Sequence, residues 1–486
     1  MSIPKIIHQL WIGPKKAPIN LMNSWKDKHP DYEYIFWNEE EFKKRGFKSQ
    51  LQNRIDEMTE INGKADILRW EILYKYGGVF LDADSICIES FDTLLSNNKC
   101  FAGFENEKVR GIGWSNRYPE ILSNTHPLIA TGTMGFSKEH ELPKLAIEWI
   151  KNNNVNIHTN GGKMAWVTVG PGLLTRLFYS KKWSDMVIYP SYYFLPIHCT
   201  GIEYYKGHEK IYAHQEWGST KKHYNIMNSV TLPKQFCKPS KSHSVSILIS
   251  SYNTNASYIS ECLTSIKHQI GHFNIQLVWI NDGSDDLHTR LLKQLLNKFI
   301  NQTRFTTLLY EENECNKGIG YTLNKGIKLC DNEIIIKMDS DDIMLPDRIL
   351  KQYNFMNSNK DIHICGGQIL MFRGNSRNVI NKSNHKTITI EDYKKRNSHW
   401  FINHPTVCYR KTSVLNAGNY NADLHRMCED FELELRMLNK YGKIYNFEEP
   451  LIYYRLHKDQ VTHNGGKEGS AYWNKIRNDI IKKVIL

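Results

Sequence analysis

No stretch of this chain offers 18 consecutive apolar residues, and its opening, MSIPKIIHQLWIG, lacks the charged start and long apolar core of a secretory leader. The expectation is a cytoplasmic protein with no integral membrane segment. Paired cysteines are missing too. The 10 thiols lie singly, with no C-x-x-C and no zinc-like spacing, in a chain of 486 residues, so neither a disulfide framework nor a zinc knot is expected. Basic residues form no long blocks. The densest points are Lys221-Lys222 and Lys394-Lys395-Arg396, so the net charge of +12 does not read as a nucleic-acid footprint. It suits a small polyanion such as a nucleoside diphosphate. Low-complexity tracts are also missing.

What the chain has is length for two to four domains, and an aromatic content of 12% that serves cores and flat stacking platforms alike. Residues 3–12 read as a first strand. In KADILRWEILYKYGG, Ile67, Trp70, Ile72, Leu73 and Tyr76 fall at near-helical spacing, Gly77-Gly78 stops the helix, and Val79-Phe80-Leu81 follows as a short buried strand. Two prolines with several Ser and Lys mark 229–243 as a linker. After it VSILISSYN restarts as a strand, followed by helix from about Tyr258 to Gln269, the strand IQLVWINDGS, and helix from Leu291 to Phe299. Strand alternating with helix implies a parallel, doubly wound sheet whose ligands bind beyond the carboxyl ends of its strands. A short amphipathic helix, Trp473 to Ile481, closes the chain.

Two of the buried strands end in clustered carboxylates: Asp82-Ala83-Asp84 after VFL, and Asp339-Ser340-Asp341-Asp342 after IIIKM. Carboxylates at i and i+2 of extended backbone point the same way and repel each other unless a cation lies between them. Mg²⁺ or Mn²⁺ accepts such oxygens and takes its other ligands from diphosphate. An isolated D-x-D is equally a solvated loop or a helix start. The same arrangement twice, each time after an apolar run, favours the metal.

The motifs SVSILISSYN, LVWINDGSDD, NKGIGYTLNKGI, IIIKMDSDDIMLPDR, CEDFELELRM and EPLIYYRLH, in that order from Ser244 to His457, resemble the family 2 glycosyltransferases. That resemblance implies a GT-A, Rossmann-like domain that uses a nucleotide-sugar donor and inverts the anomeric centre. It puts Ser251, Tyr252 and Asp282 around the nucleobase and ribose, and Asp339 and Asp341 on the diphosphate and metal. Asp430 of Glu429-Asp430 becomes the base for the acceptor hydroxyl, and His457 helps hold the metal. Leu323 stands where many members carry Arg, and Glu434 where many carry Trp.

IPKIIHQLWIG, KADILRWEILYKYGGVFLDAD and YAHQEWGST, within residues 3–220, resemble the family 32 glycosyltransferases and, more distantly, the large clostridial glucosylating toxins. This implies a second GT-A domain, retaining in stereochemistry. Trp11 would meet the nucleobase, Asp66 and Arg69 the donor sugar, and Asp82 and Asp84 the ribose, diphosphate and metal. His214 with Ser219 would close over the diphosphate; Thr220 replaces the Trp of many relatives.

The expected architecture is α/β, two GT-A domains in tandem: 1–228, the linker, 244–460, and a tail at 461–486. The expected function is transfer of sugars from UDP-sugars to a glycan or glycoprotein acceptor, with one Mn²⁺ or Mg²⁺ per domain. Plainer readings stand beside these roles. Asp66 and Arg69 are also an ordinary i, i+3 ion pair, and Glu429-Asp430 an ordinary acidic first turn. His404-Pro405 is a candidate lining of the acceptor cleft, and Asn316-Lys317-Gly318 a candidate phosphate loop. No nucleophile stands out for the retaining half. A sugar-nucleotide pyrophosphorylase would need a Gly-rich, basic signature after its first strand, which neither half has. The remaining alternative is one active domain beside a degenerate carbohydrate-binding module.

Overall fold

A computed structural model of the chain describes residues 2–485 apart from 96–97, 108–126, 157, 160–161, 164, 206, 223, 375, 377, 397–400, 425–427 and 459–465. It divides into two α/β units: Met1–Tyr205 with Ile211–Phe236, and Lys206–Lys210 with Cys237–Leu486.

In the first unit a six-stranded sheet runs in the order Glu33–Trp37, Ile6–Leu10, Gly78–Leu81, Leu128–Phe136, Cys100–Asn106, Met186–Tyr189. The first three strands are parallel, as a Rossmann-like core requires, and Leu128–Phe136 runs against its neighbours. The helix predicted from its apolar spacing spans Ile61–Tyr76 and is buried almost continuously from Asp66 to Leu73, not along one stripe. It is enclosed: Trp70 is fully buried and its indole N–H donates to the Val169 carbonyl at 2.7 Å. Gly77 (φ +66°) ends the helix with its N–H on the Leu73 carbonyl at 2.9 Å. At Gly78 (φ +96°) a Cβ would lie 2.7 Å from the Ile6 carbonyl, so only glycine lets the next strand lie this close to the first. That strand delivers Asp82 to the sheet's carboxyl edge.

The second unit's main path is Thr306–Glu312, Asn274–Asn281, Ser244–Ser251, Ile334–Asp339, Cys408–Arg410, Ile364–Phe372, Lys443–Arg455 and Ile343–Met344. Its first four strands are parallel. They are apolar on both faces because helices cover both. Ile247, Ile249 and Trp279 serve one core and Leu248, Val278 and Ile280 the other. In this register Ser251 pairs with Asn281 and Ser250 with Asp339, so three polar strand ends share one edge. The alternation of strand and helix in the sequence gives two Rossmann-like α/β units, the fold class expected.

Two boundaries move. The stretch read as a linker from 229 is packed as far as Phe236, which is 1% exposed and lies against Tyr205 and His214 within the first unit. A single buried ring is enough to anchor a segment of loop composition. The closing helix is longer than its apolar period suggested, Gly466–Ile485, and Ile480 reaches the core that contains Phe431.

Candidate active sites

In the first unit the carboxylates meet their counter-charge at once. Arg69, buried on the enclosed helix, reaches Asp66 at 3.1 Å and Asp82 at 2.6 Å, and donates to the Thr131 carbonyl at 2.6 Å. The i, i+3 pair is therefore internal and joined to the D-x-D, not a solvated surface contact. Burial pushes the Asp66 carboxyl up to about 6, against the pull of Arg69. Asp84 also rises to about 6, through burial and then the charge of Asp82. Two carboxylates that resist being charged together are what a divalent cation relieves, so the donor set fits one. Space is kept open by glycine: a Cβ on Gly132 would come within 2.7 Å of an Asp82 oxygen, and one on Gly170 within 2.5 Å of Asp66.

His214 stands apart from these carboxylates. His214 lies on the strand Ala213–Gln215, which pairs antiparallel with Ser85–Cys87. It is Gln215 that donates to Asp84 at 2.6 Å and Asp82 at 3.4 Å. His214 points to the other face, 3.1 Å from Glu216 and against Phe236. Successive side chains of a strand alternate, so one of the two had to turn away. The partner of His214 in this structure is Glu216, and Gln215 takes the D-x-D carboxylates. The Gly218 N–H completes Asp84 at 2.7 Å, and the side chain of Ser219 lies outside the described residues. Gln9, which sequence reasoning passed over, donates to the Asp82 carbonyl at 3.2 Å and accepts from Tyr34. Trp11 is half-buried just beyond the first strand, edge-on to Tyr224 at 5.5 Å, with Lys15 over the Tyr224 ring at 4.3 Å.

In the second unit Asp339 forms an ion pair with Lys337 from its own strand, and Asp341 meets His457 at 2.8 Å. Asp342 is fully buried. One of its oxygens accepts the Arg455 N–H at 2.8 Å and the other has no partner. Burial, then Asp341 and Asp339, hold its carboxyl well above the usual range. Crowded carboxylates with an orphaned oxygen fit a divalent cation as the first site does. Arg455 also donates to the Asp341 carbonyl at 2.8 Å and to Glu261 at 2.9 Å, fixing the loop that presents the cluster.

Glu429 and Asp430 open the helix Glu429–Tyr441, behind Cys428 in a left-handed turn. Glu429 is buried and pushed up to about 8 by burial and by Asp430. Asp430 is more open. Burial raises its carboxyl, while the Phe431 N–H at 2.7 Å and the charges of Lys337 and Arg477 hold it back. Burial thus raises both acids, and Asp430 keeps a hydrogen bond and nearby cations that favour its charged form. Arg477, from the closing helix, is another residue the sequence did not single out.

Three of the candidate residues have partners within the unit. The Ser251 hydroxyl accepts the indole N–H of fully buried Trp279 at 2.9 Å. Asp282 spends its oxygens on Asn313 at 2.8 Å and on the N–H groups of Lys317 and Gly318 at 2.9 and 3.0 Å. It anchors the glycine loop. His404 is buried, with Glu434 at 2.9 Å and Tyr420 at 3.2 Å on its two nitrogens, so its ring does not line a cleft. Glu434, the departure from Trp, is thereby paired. Tyr252 is 47% exposed at the strand mouth.

Among the described residues, one trio of potential ligands has its atoms within 4.8 Å of one another: Cys100, His140 and Asp185. Its geometry is a hydrogen-bond knot. The Leu142 N–H occupies His140 Nδ1 at 3.1 Å, which leaves the proton on Nε2 facing Asp185, and the Cys100 thiol donates to the Asp185 carbonyl at 3.3 Å.

The family model "Glycosyl transferase family 2" matches residues 246–418, and "Glycosyltransferase sugar-binding region containing DXD motif" matches 16–101. An uncharacterized glycosyltransferase of Haemophilus influenzae is 30% identical over 230 residues, covering 47% of this chain and 82% of that protein. The UDP-Gal:alpha-D-GlcNAc-diphosphoundecaprenol beta-1,3-galactosyltransferase of Escherichia coli is 28% identical over 212 residues, 43% of this chain and 72% of the relative. Inositol phosphoceramide mannosyltransferase 3 of Schizosaccharomyces pombe is 35% identical over 152 residues, 29% of this chain and 35% of the relative. Among the described residues no helix is long and apolar enough to cross a membrane. With both sets of carboxylates at strand ends and both family models matched, the chain belongs to the glycosyltransferases, a family 2 domain in its second unit and a DXD sugar-binding region in its first.

Proposed function

We propose that the chain is a bifunctional glycosyltransferase in which each unit binds its own nucleotide sugar, UDP-linked, and transfers the sugar to a glycan or glycoprotein acceptor. The observation that carries this reading is the pair of carboxylate clusters, each at a strand's carboxyl end with its own counter-charge. Two of the named relatives are a galactosyltransferase with UDP-Gal in its name and a mannosyltransferase.

In the second unit Asp430 takes the proton of the acceptor hydroxyl. The acceptor oxygen bonds to the anomeric carbon from the face opposite the leaving diphosphate, the sugar–phosphate bond breaks, and the configuration inverts. Tyr252 stacks the base of the donor, while Asp339, Asp341 and His457 would hold a Mn²⁺ or Mg²⁺ ion. Such an ion supplies Lewis acidity on the departing diphosphate. In the first unit Asp66 and Arg69 bind the donor sugar and Trp11 its base, and Asp82 and Asp84 would hold a second ion. There the configuration is retained.

The test is a pair of double variants of the full chain, scored by the sugars each adds and by NMR coupling constants of the products. Asp82→Ala with Asp84→Ala should remove the retained linkage and spare the inverted one; Asp339→Ala with Asp341→Ala should do the reverse. Loss of both linkages from either folded variant would replace two sites with one. One linkage in the wild type, untouched by the first pair, would leave the first unit as a binding module.

A further inference from the structure

Lys337 is the buried lysine among the described residues, 1% exposed in the middle of the second unit's sheet. Burying an ammonium is costly unless carboxylates surround it. Strand alternation places it on the same face as Ile335, toward the core that holds Cys428 and Phe431 and against which the Glu429–Tyr441 helix packs. From there it pairs with Asp339 and is near enough to act electrostatically on Asp342, Glu429, Asp430 and Glu434. One fixed cation thus stands between the donor-side carboxylates and the acceptor-side acids. Its partner, Asp339, is an oxygen ligand that a divalent cation would also need.

We propose that Lys337 is a positioning residue that holds Asp339 while the site is free of metal and turns its charge to the acids of the Glu429–Tyr441 helix once Asp339 is engaged. The inference rests on the metal and base roles proposed above. It makes the lysine a competitor of the metal and a supporter of the base. Removing it should therefore have opposite effects on the two. A lysine that merely fills the core would weaken both.

The experiment uses the full chain carrying Asp82→Ala and Asp84→Ala, so that the first site is silent, with Mn²⁺ alone as the probe. Titration calorimetry should show Lys337→Met binding Mn²⁺ about tenfold more tightly, since a competing opposite charge has been removed. Lys337→Arg should stay near the parent affinity. Thermal unfolding should show a larger gain from Mn²⁺ in Lys337→Met than in the parent. Release of UDP from whichever of UDP-glucose, UDP-galactose and UDP-N-acetylglucosamine the parent turns over should fall at least tenfold.

Unchanged or weaker Mn²⁺ binding by folded Lys337→Met overturns the inference. Folding of that variant only with Mn²⁺ present supports it, and failure to fold in either condition overturns it by making the lysine a core residue. Adding Asp339→Ala and Asp341→Ala to the same parent separates the two levels. If Mn²⁺ binding survives that change, the proposed metal site is wrong; if it vanishes while Lys337→Met does not tighten binding, only the present inference is.

Discussion

The two units answer one electrostatic problem in different ways. In the first, the counter-charge for the D-x-D comes from Arg69, a residue of the preceding helix, and the carboxylates are further held by Gln215 from a distant strand. In the second it comes from Lys337, two residues earlier on the strand itself, while His457 meets Asp341 at 2.8 Å from far along the chain. Arg69 offers a planar fork that grips Asp66, Asp82 and a carbonyl together, so its position is set by several bonds. Lys337 is a point charge at the end of a single stem, paired with Asp339 alone among the described residues. The second unit adds a pair of adjacent acids, Glu429 and Asp430, at a helix start, both raised by burial. The comparison teaches that a D-x-D specifies the need for positive charge and leaves its source open.

The strongest way to break that contrast is to remove the base. Asp430→Asn keeps size and hydrogen-bonding capacity but takes no proton near neutral pH. Turnover of the inverted linkage should fall by about 10²–10⁴-fold with donor affinity near wild type, and the retained linkage should be unaffected. Steady-state rates with calorimetric donor affinities check this. Near-normal turnover would leave the second unit without a base and erase the difference between the units.

A smaller effect sharpens the first unit's side. Gly170→Ala places a methyl group within 2.5 Å of the Asp66 carboxylate. The Asp66–Arg69–Asp82 triad should shift, at a cost of about 1–3 kcal/mol in stability. Donor binding by the first unit should weaken while the second unit's rates hold. Thermal unfolding and the ratio of the two products report it; an unchanged ratio would mean the triad does not touch the donor.

The smallest effect concerns Glu429. Its carboxyl titrates at about 8 in the folded chain against the ordinary 4.5. The folded state therefore binds the proton more tightly, and stability is lost as pH rises from 4.5 through 8. Glu429→Gln should match the wild type at pH 4 and exceed it at pH 9, by about 2–4 °C in Tm for each kcal/mol regained. A variant no more stable at pH 9 would show Glu429 to be charged and paired there.

What the sequence determined by itself is local. The glycine pair at 77–78, the apolar runs before both acid clusters, and the alternation of strand and helix set two Rossmann-like sheets with carboxylates at their ends, because backbone conformation and burial period are written in neighbouring residues. The order of the motifs named the class. Tertiary structure alone decided which side chain of a strand looks into a site. His214 and Gln215 differ by one position, and the pairing of Ala213–Gln215 with Ser85–Cys87 gave the site to Gln215. Ser251 was engaged by the indole of Trp279, Asp282 was claimed by the loop at Lys317 and Gly318, and Phe236 tied down a stretch of linker composition. Lys337 is just an interruption in an apolar run until the strand is packed. Its role depends on carboxylates close in space and distant in sequence, and those distances are set when the chain folds.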